Sequence, residues 1–574
     1  MSSLVLLIIC VVVLVLGYRF YSRLLALDVF RLDVNYSTPA QSLADNKDIV
    51  VGNRQVILGH HVAIIAGPTT IVGSAVAVIW GWIPAVLWVL VGTTVAAGVY
   101  GLGSFWLAVR HGSLGLTDMV CSLMSTRARV PFAILGVVVL LIMNAVLAWL
   151  IAELLSTYPS AVLAFWLQIL LACGFGWFLR RRGPQALIPA TVVVLVGALL
   201  IVWIFAKIPF AFSGALNIDF RGYSVVSLDA TLVWVVLLFV ATYYTTRLPI
   251  WKLTQARGYL LALQTSVLLI VLFAGVVVLQ PPVVAPNFNT AIETPTAIPW
   301  IFVTLTSGAI AGFYLLMAGG ITAKQLARET DARYVGFGSA LVDGILAFSV
   351  IVVCTAGFNS HDKWMEFYVS WEGVQDLPQL IGIYIGGIAK FASALGIDFD
   401  LAETFAAVVV AGLIAVTLEA GIRVQRQLLA EVNDYYHIIS LRDPKTLLII
   451  TVVVAAMLAL HDGRGQGGLT LWPLFGLWNQ MLAVFGLLLI GLALRRRQQA
   501  VGYVFVPMIF LVVVTSWALI LQLSRWWASA DWLLITGGIL LLVVEFWLAR
   551  EALRTLRKSV PALDTSLPES KMPH

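Results

Sequence analysis

Charge is scarce in this 574-residue chain: Asp, Glu, Lys and Arg together make up 11% of it, where a soluble globular protein carries about 25%. That shortage excludes a water-soluble domain, and with it a cytosolic enzyme, a secreted disulfide scaffold and a nucleic-acid binder. Cysteine is equally sparse. The 4 cysteines, Cys10, Cys121, Cys173 and Cys354, are scattered without a Cys-x-x-Cys pair, so neither a zinc site nor a redox couple is expected. No phosphate-binding loop and no nucleophile–base set is visible, which argues against an enzyme, a cofactor and ATP-driven pumping. What the chain has instead is apolar residues, 61% of the total, with a mean hydropathy of +0.97. Runs of roughly 20 such residues cross a bilayer. The net charge of +6 fits basic cytoplasmic loops facing anionic lipid.

Sixteen apolar runs can be marked: 3–20, 57–80, 83–109, 130–153, 160–179, 185–206, 229–246, 258–280, 298–319, 336–357, 380–396, 402–422, 447–461, 471–494, 501–522 and 532–549. Lys and Arg stay on the cytoplasmic side and so fix the path. No Lys or Arg precedes the first run, whereas Arg19, Arg23, Arg31, Lys47 and Arg54 follow it. The first run therefore reads as a retained helix with its N-terminus outside, rather than as a cleaved leader. Alternate loops are then basic, at Arg110, Arg127 and Arg129, at Arg180 to Arg182, at Arg247, Lys252 and Arg257, and at Lys324, Arg328 and Arg333. Parity fails once, between 357 and Arg423, where only one of two runs can cross. Run 380–396 is short, glycine-rich and carries Lys390, so it is expected to be re-entrant or interfacial. About fifteen transmembrane helices remain in an all-α polytopic protein with its C-terminus inside. The expected divisions are a leading helix (1–24), a cytoplasmic loop (25–56), a core (57–500), two C-terminal helices (501–549) and a basic, partly disordered tail (550–574).

Two runs carry breakers. In 57–80, Gly67-Pro68 lies between Gly59 and Gly73; in 298–319, Gly308 and Gly312 lie near the centre, within Thr306-Ser307-Gly308 and on to Tyr314. Proline removes a backbone donor and collides with the preceding turn. The runs are seven crossings apart, so they pass through the membrane in opposite directions. Interrupted helices at matching places in inverted halves point to the binding site of a secondary transporter. The expected arrangement is Gly67-Pro68-Thr69 facing Ser307-Gly308-Ala309 across a small polar cavity. His60, His61, Thr69, Thr70, Thr306 and Tyr314 supply side chains there.

Several stretches together resemble the carbon-starvation (CstA) family of transporters. They are Asn53-Arg54-Gln55 through Gly59-His60-His61 with Gly67-Pro68, Leu248-Pro249 with Trp251 and Arg257-Gly258-Tyr259, and Ser307-Gly308 through Phe313 with Lys324 and Glu329. Thr417-Leu418-Glu419-Ala420 with Arg423 and Leu471-Trp472-Pro473 through Asn479-Gln480 complete the set. The resemblance covers roughly residues 20–500. It implies an inverted-repeat, LeuT-like core with the two broken helices at its centre. It also implies uptake of peptides or pyruvate-like acids across a bacterial inner membrane, as in a symporter. There are departures. The acid expected after Trp82 is missing from Gly98 to Gly103, Gly258 stands where the resemblance implies Asp, Tyr314 where it implies His, and the Thr69-Thr70 stretch where it implies a second Pro.

The remaining polar residues each have a plain reading beside the functional one. His60 and His61 are adjacent, hence about 100° apart on a helix. They would contact substrate or relay protons, or would simply be buried and hydrogen-bonded. Asp343, one third into its run, and Glu419 are the candidates for proton or ion coupling. A lone carboxylate at that depth costs several kcal/mol unless it is neutral or paired, and Glu419 with Arg423 four residues on could be a simple ion pair. Asn479-Gln480 would bond across helices or line a cavity. The substrate class is a small molecule, membrane lipids surround the chain, and no metal or cofactor is expected. The rival reading is a transporter-derived structural or regulatory subunit of a larger membrane complex, with a protein partner.

Overall fold

The computed structural model describes residues 2–111, 115–212, 216–220, 223–289, 296–309, 311–437 and 443–557, with side chains outside 216–228 and 306–309. Hydrocarbon offers no partner to a backbone N–H or C=O, so apolar runs of this length become helices. Among the described residues twelve helices are long and apolar enough to span a membrane, or thirteen when one bent pair counts as a span. They begin with α1 (Ser3–Val29), the bent pair α2 (Arg54–Ile65) and α3 (Pro68–Trp80), α4 (Trp82–Arg110), α5 (Thr126–Thr157), α6 (Pro159–Arg182) and α7 (Pro184–Phe205). Next come α8 (Ala230–Arg247) and α9 (Thr254–Leu279), then two short segments, α10 (Ala297–Ala309) and α11 (Phe313–Met317). The chain continues with α12 (Arg333–Ala356), α13 (Leu377–Ser393), α14 (Phe399–Tyr436), α15 (Pro444–Leu460), α16 (Gly467–Arg496), α17 (Gly502–Ala528) and α18 (Trp532–Arg557).

Helix limits differ from the sequence reading at both ends of the chain. The leading helix was expected to stop near residue 20 and runs to Val29 through two widened, π-type stretches. Such turns free carbonyls, and Arg333 takes one, donating from Nη2 to Tyr18 O at 3.0 Å while its Nε donates to Ser22 Oγ. At the other end α18 carries Arg550, Arg554 and Arg557 on a continuous helix; residues 558–574 of the expected tail lie outside the described residues. The fold is all-helical apart from one short hairpin among the described residues. Leu216–Phe220 (β1) and Tyr223–Leu228 (β2) pair antiparallel between α7 and α8, Leu216 opposite Leu228. The stretch Leu216-Asn217-Ile218-Asp219-Phe220 alternates with period two, the pattern of a strand.

Burial sorts the helices. The apolar stretch of α16 is wholly enclosed and that of α14 is 94% so, while those of α1, α7 and α18 are 22%, 28% and 28% buried. The outer helices present Ile188, Val193 and Phe546 at 70% exposure or more, a surface that only hydrocarbon would cover. Inside, small residues let backbones meet. A Cβ on Gly101 of α4 would lie 2.5 Å from Gly336 O of α12, and one on Gly336 would lie 2.7 Å from Gly101 O.

The expected short run 380–396 is α13. Its C-terminal end lies beside the ends of α9 and α12: a Cβ on Gly275 would meet Phe391 O, and Lys390 Nζ donates to Gly357 O at 2.6 Å. Its first residue, Leu377, shares a cavity with Val76 of α3 and Trp300 of α10. Both ends of α13 thus sit near the ends of neighbouring helices opposite the Arg- and Lys-rich loops.

Candidate functional site

At the first break the backbone leaves the helix at Ala66 and Gly67 and re-enters it at Pro68, with a bend of 53°. Proline suits that first position, where no N–H is needed. The carbonyl of Ile64 is captured by Thr417 of α14, whose hydroxyl donates to it at 3.0 Å. A Cβ on Gly67 would stand 3.1 Å from the same hydroxyl, so α14 lies directly against the break.

The second break falls later than expected. Helix α10 is continuous through Ser307, Gly308 and Ala309, and the chain restarts at Phe313. Gly312 stands just ahead of the restart, where a Cβ would lie 1.9 Å from Asn479 O and 2.7 Å from Ala483 N of α16, an approach that glycine alone permits. Gly312 O accepts from Tyr100 OH at 2.9 Å, and Phe313 N donates to Asn479 Oδ1 at 3.2 Å. The groups freed by both breaks are therefore met by protein rather than by lipid. The two broken paths are antiparallel. Asn289, ahead of α10, donates to Trp80 O at the end of α3, and Gly52, ahead of α2, donates to Gln325 O beyond α11, both at 3.0 Å.

Asp343 of α12 ties the two paths together. Its Oδ1 accepts from Thr70 Oγ1 of α3 at 2.6 Å and its Oδ2 from Tyr314 OH of α11. The carboxyl is 1% exposed, and no cation lies within ion-pair distance of it among the described residues. Tyr314 stacks on Tyr100, rings 6.2 Å apart and 8° from parallel. The two histidines part company. His61 Nδ1 bonds Thr322 Oγ1 at 2.9 Å and its ring meets Phe105 edge-on. His60 is buried with neither ring nitrogen in a close hydrogen bond; Gln325 is beside it, and a Cβ on Gly258 would meet its ring at 2.9 Å. Gly258 thus abuts the buried His60 imidazole. No cluster of three metal-ligating side chains exists among the described residues.

A cavity of about 200 Å³ reaches down to Thr69 from the end opposite the basic loops, lined also by Thr304, Gln375, Trp300 and Gln522. A second of about 200 Å³ enters from the basic end and stops at Gln255, whose Nε2 donates to Gln325 Oε1 at 2.8 Å. Between these cavities runs a sealed column of polar side chains: Gln255, Gln325, His60, His61, Tyr314, Asp343 and Thr70. The expected single cavity joining both breaks is thus two cavities with a closed centre. Of the sequence candidates, Thr69 reaches a cavity, while Thr70, Tyr314, Asp343, His60 and His61 lie in the column. The side chains of Thr306 and Ser307, and Gly308's surroundings, lie outside the described residues.

Glu419 stands apart, on α14. Its Oε1 accepts from the Thr254 hydroxyl, its Oε2 has no partner, and Arg423 Nη2 is 3.9 Å away. The expected Glu419–Arg423 pair is loose because Arg423 spends its closer contacts elsewhere, on Asp48 Oδ1 at 2.8 Å and Leu248 O at 3.2 Å. Gln480 bonds across helices, to Phe302 O and Thr515. Sequence reading passed over Thr417, Tyr100, Gln255 and Gln325. Thr417 belongs to a motif quoted above and Gln255 lies between Trp251 and Arg257 of another, but only the tertiary structure gives them a task.

The family model for "Carbon starvation protein CstA" matches residues 2–367 and 378–518. The chain belongs to this family. Among its relatives, the peptide transporter CstA of Campylobacter jejuni is 28% identical over 570 residues, covering 90% of this chain and 79% of the relative. The pyruvate/proton symporter BtsT of Escherichia coli K12 is 27% identical over 599 residues, covering 91% and 82%. Among solved structures, Mhp1, a nucleobase-cation-symport-1 family transporter in a closed conformation, aligns with a TM-score of 0.47 at 12% identity, covering 91% of this chain and 97% of that one.

Proposed function

We propose that this CstA-family chain is a secondary transporter of the bacterial inner membrane that takes up a small organic solute, a peptide or a pyruvate-like acid, by alternating access. The observation that carries this reading is the pair of cavities at opposite ends of the molecule. They stop at Thr69 and at Gln255, on either side of a sealed column built on two antiparallel broken paths. A solute held at the breaks would meet unwound backbone and half-helix ends, which suit small polar groups. His60, His61, Gly67, Pro68, Thr69, Thr70, Thr306, Ser307, Gly308 and Tyr314 form the proposed substrate site. Relatives named as a peptide transporter and a pyruvate/proton symporter support the substrate class.

Asp343 is the proposed proton carrier, with Glu419 as the second candidate. Asp343 joins α3, α11 and α12 through hydrogen bonds from Thr70 and Tyr314, so its protonation bears on how the two broken paths are held. The proposed topology has fifteen crossings, the N-terminus outside and the basic loops and C-terminus inside. The two ends of α13 support it by lying at the same end of the molecule. In this division α1 leads, residues 57–500 form the core and α17 and α18 follow.

The test is uptake of labelled pyruvate and dipeptides into proteoliposomes with an inward proton gradient. Wild type should concentrate one of these solutes. Asp343→Asn should keep solute exchange in the absence of a gradient and lose gradient-driven accumulation by about 5–150-fold, the range of a 1–3 kcal/mol coupling. Failure of wild type to move any solute, together with a stoichiometric partner in mild detergent, would replace this reading with that of a complex subunit.

A further inference from the structure

The cavity at the basic end has a second character that solute passage does not require. Apart from Gln255 and Asn53 its inner walls are apolar: Val56 of α2, Leu179 of α6, Leu187 of α7 and Ala256 of α9. Its mouth is cationic and aromatic. Arg180 is held there by Asn46, to whose Oδ1 its Nη2 donates at 2.9 Å, and its guanidinium stands 5.6 Å over the ring of Trp251. Trp251 is fixed in turn through Nε1 to Asn46 O at 3.1 Å. A guanidinium has five N–H donors, and the contact with Asn46 uses one. Arg181 follows, 3.9 Å over Trp177, and then Arg182. Next to Leu187, the neighbouring residues Ile188, Val192 and Val193 of α7 are exposed.

We propose that this cleft binds an anionic glycerophospholipid, its phosphate at Arg180 and one acyl chain along Val56, Leu179, Leu187 and Ala256. Three features select that ligand class over others. The floor is apolar and has exposed apolar residues of α7 beside it, which suits a chain and is wasted on a free anion. The mouth combines arginine with tryptophan, the pairing that belongs at the headgroup level. Basic pockets between helices near that level recognise anionic headgroups. The site does not depend on whether the chain transports a solute. Its inner wall is Gln255, so its occupant touches the same hydrogen bond that closes this end of the polar column.

The experiment uses the purified full-length protein, stripped of lipid in detergent and offered phosphatidylglycerol or phosphatidylcholine at equal concentration, with bound lipid counted by native mass spectrometry. Wild type should prefer phosphatidylglycerol. Arg180→Ala should lower that preference by up to about five-fold, as about 1 kcal/mol per basic residue near a membrane surface implies, and Arg181→Ala, outside the lining, should lower it less. Val51→Trp, at an exposed position on the lining, should exclude the bound lipid while leaving the arginines and the thermal melt unchanged. A photoactivatable phosphatidylglycerol should label peptides containing 46–56 and 176–190. Unchanged preference in Val51→Trp, or labelling confined to other peptides, would overturn the proposal. Displacement of the lipid by millimolar inorganic phosphate would also overturn it, and would assign the mouth to a free anion instead.

Discussion

Glu329 is fully buried, and every contact of its carboxylate is structural. Arg110 reaches both its oxygens, with Nη2 at 2.7 Å from Oε2, and Asp33 N donates to Oε2 at 2.7 Å. The Arg110 guanidinium also lies 4.1 Å over the ring of Tyr36. One side chain therefore pins the segment after α1 to the end of α4. Removing it leaves a buried guanidinium uncompensated, so Glu329→Ala should cost about 3–5 kcal/mol, read as a large drop in the thermal unfolding midpoint in detergent. Glu329→Gln, which keeps an acceptor, should cost less. Asp343 makes a different case at the same scale. A lone acid in an apolar run announces itself in sequence, because an unpaired carboxylate there is expensive. Its partners do not: Thr70 is 273 residues away, and nothing local distinguishes that hydroxyl from its neighbours. His60 and His61, adjacent on a helix, point about 100° apart. Which of them finds a hydrogen bond was decided by Thr322, on a distant segment.

At the scale of single elements, breakers in the sequence located both interruptions to within a few residues. Gly67-Pro68 interrupts at its own position because proline acts through the chain's own geometry. The second interruption falls after Gly308, between Ala309 and Phe313, where the backbone of Asn479 closes on Gly312. That approach is a property of α16 and is not written in the segment that bends. Helix α13 shows the converse, where charge bookkeeping over the whole chain bore on a single short run. If α13 does not cross, single cysteines introduced at Lys363, just ahead of it, and at Gly396, just after it, should react with an impermeant maleimide from the same side. Labelling of the two from opposite sides would restore α13 as a full span. Both positions lie outside the helix and are open, with nothing within 4 Å of a Cβ at Gly396 and the Lys363 side chain 61% exposed.

For the molecule as a whole, the basic loops gather at one end and the segment around residue 288 lies at the other, beside Trp80 and Trp82. In a cysteine-free background, Phe288→Cys and Arg181→Cys, both at exposed positions, should therefore label from opposite faces of a sealed vesicle, with Arg181→Cys protected in right-side-out cells. Labelling of both from one face would end the fifteen-crossing path. Membership of the membrane class, the long helices and the alternation of basic loops all follow from sums along the chain. Hydrocarbon imposes helical hydrogen bonding on any long apolar run, and the cost of moving Lys and Arg across the membrane sorts the loops whatever the helices later touch. The closed polar column, the placing of Thr417 and Tyr100 on the freed carbonyls, the division of one expected cavity into two and the cleft beside Arg180 were settled by packing instead. They depend on which helix faces meet. Between helices already in lipid, that choice rests on shape and on scattered hydrogen bonds, which leave no periodic trace in the order of the residues.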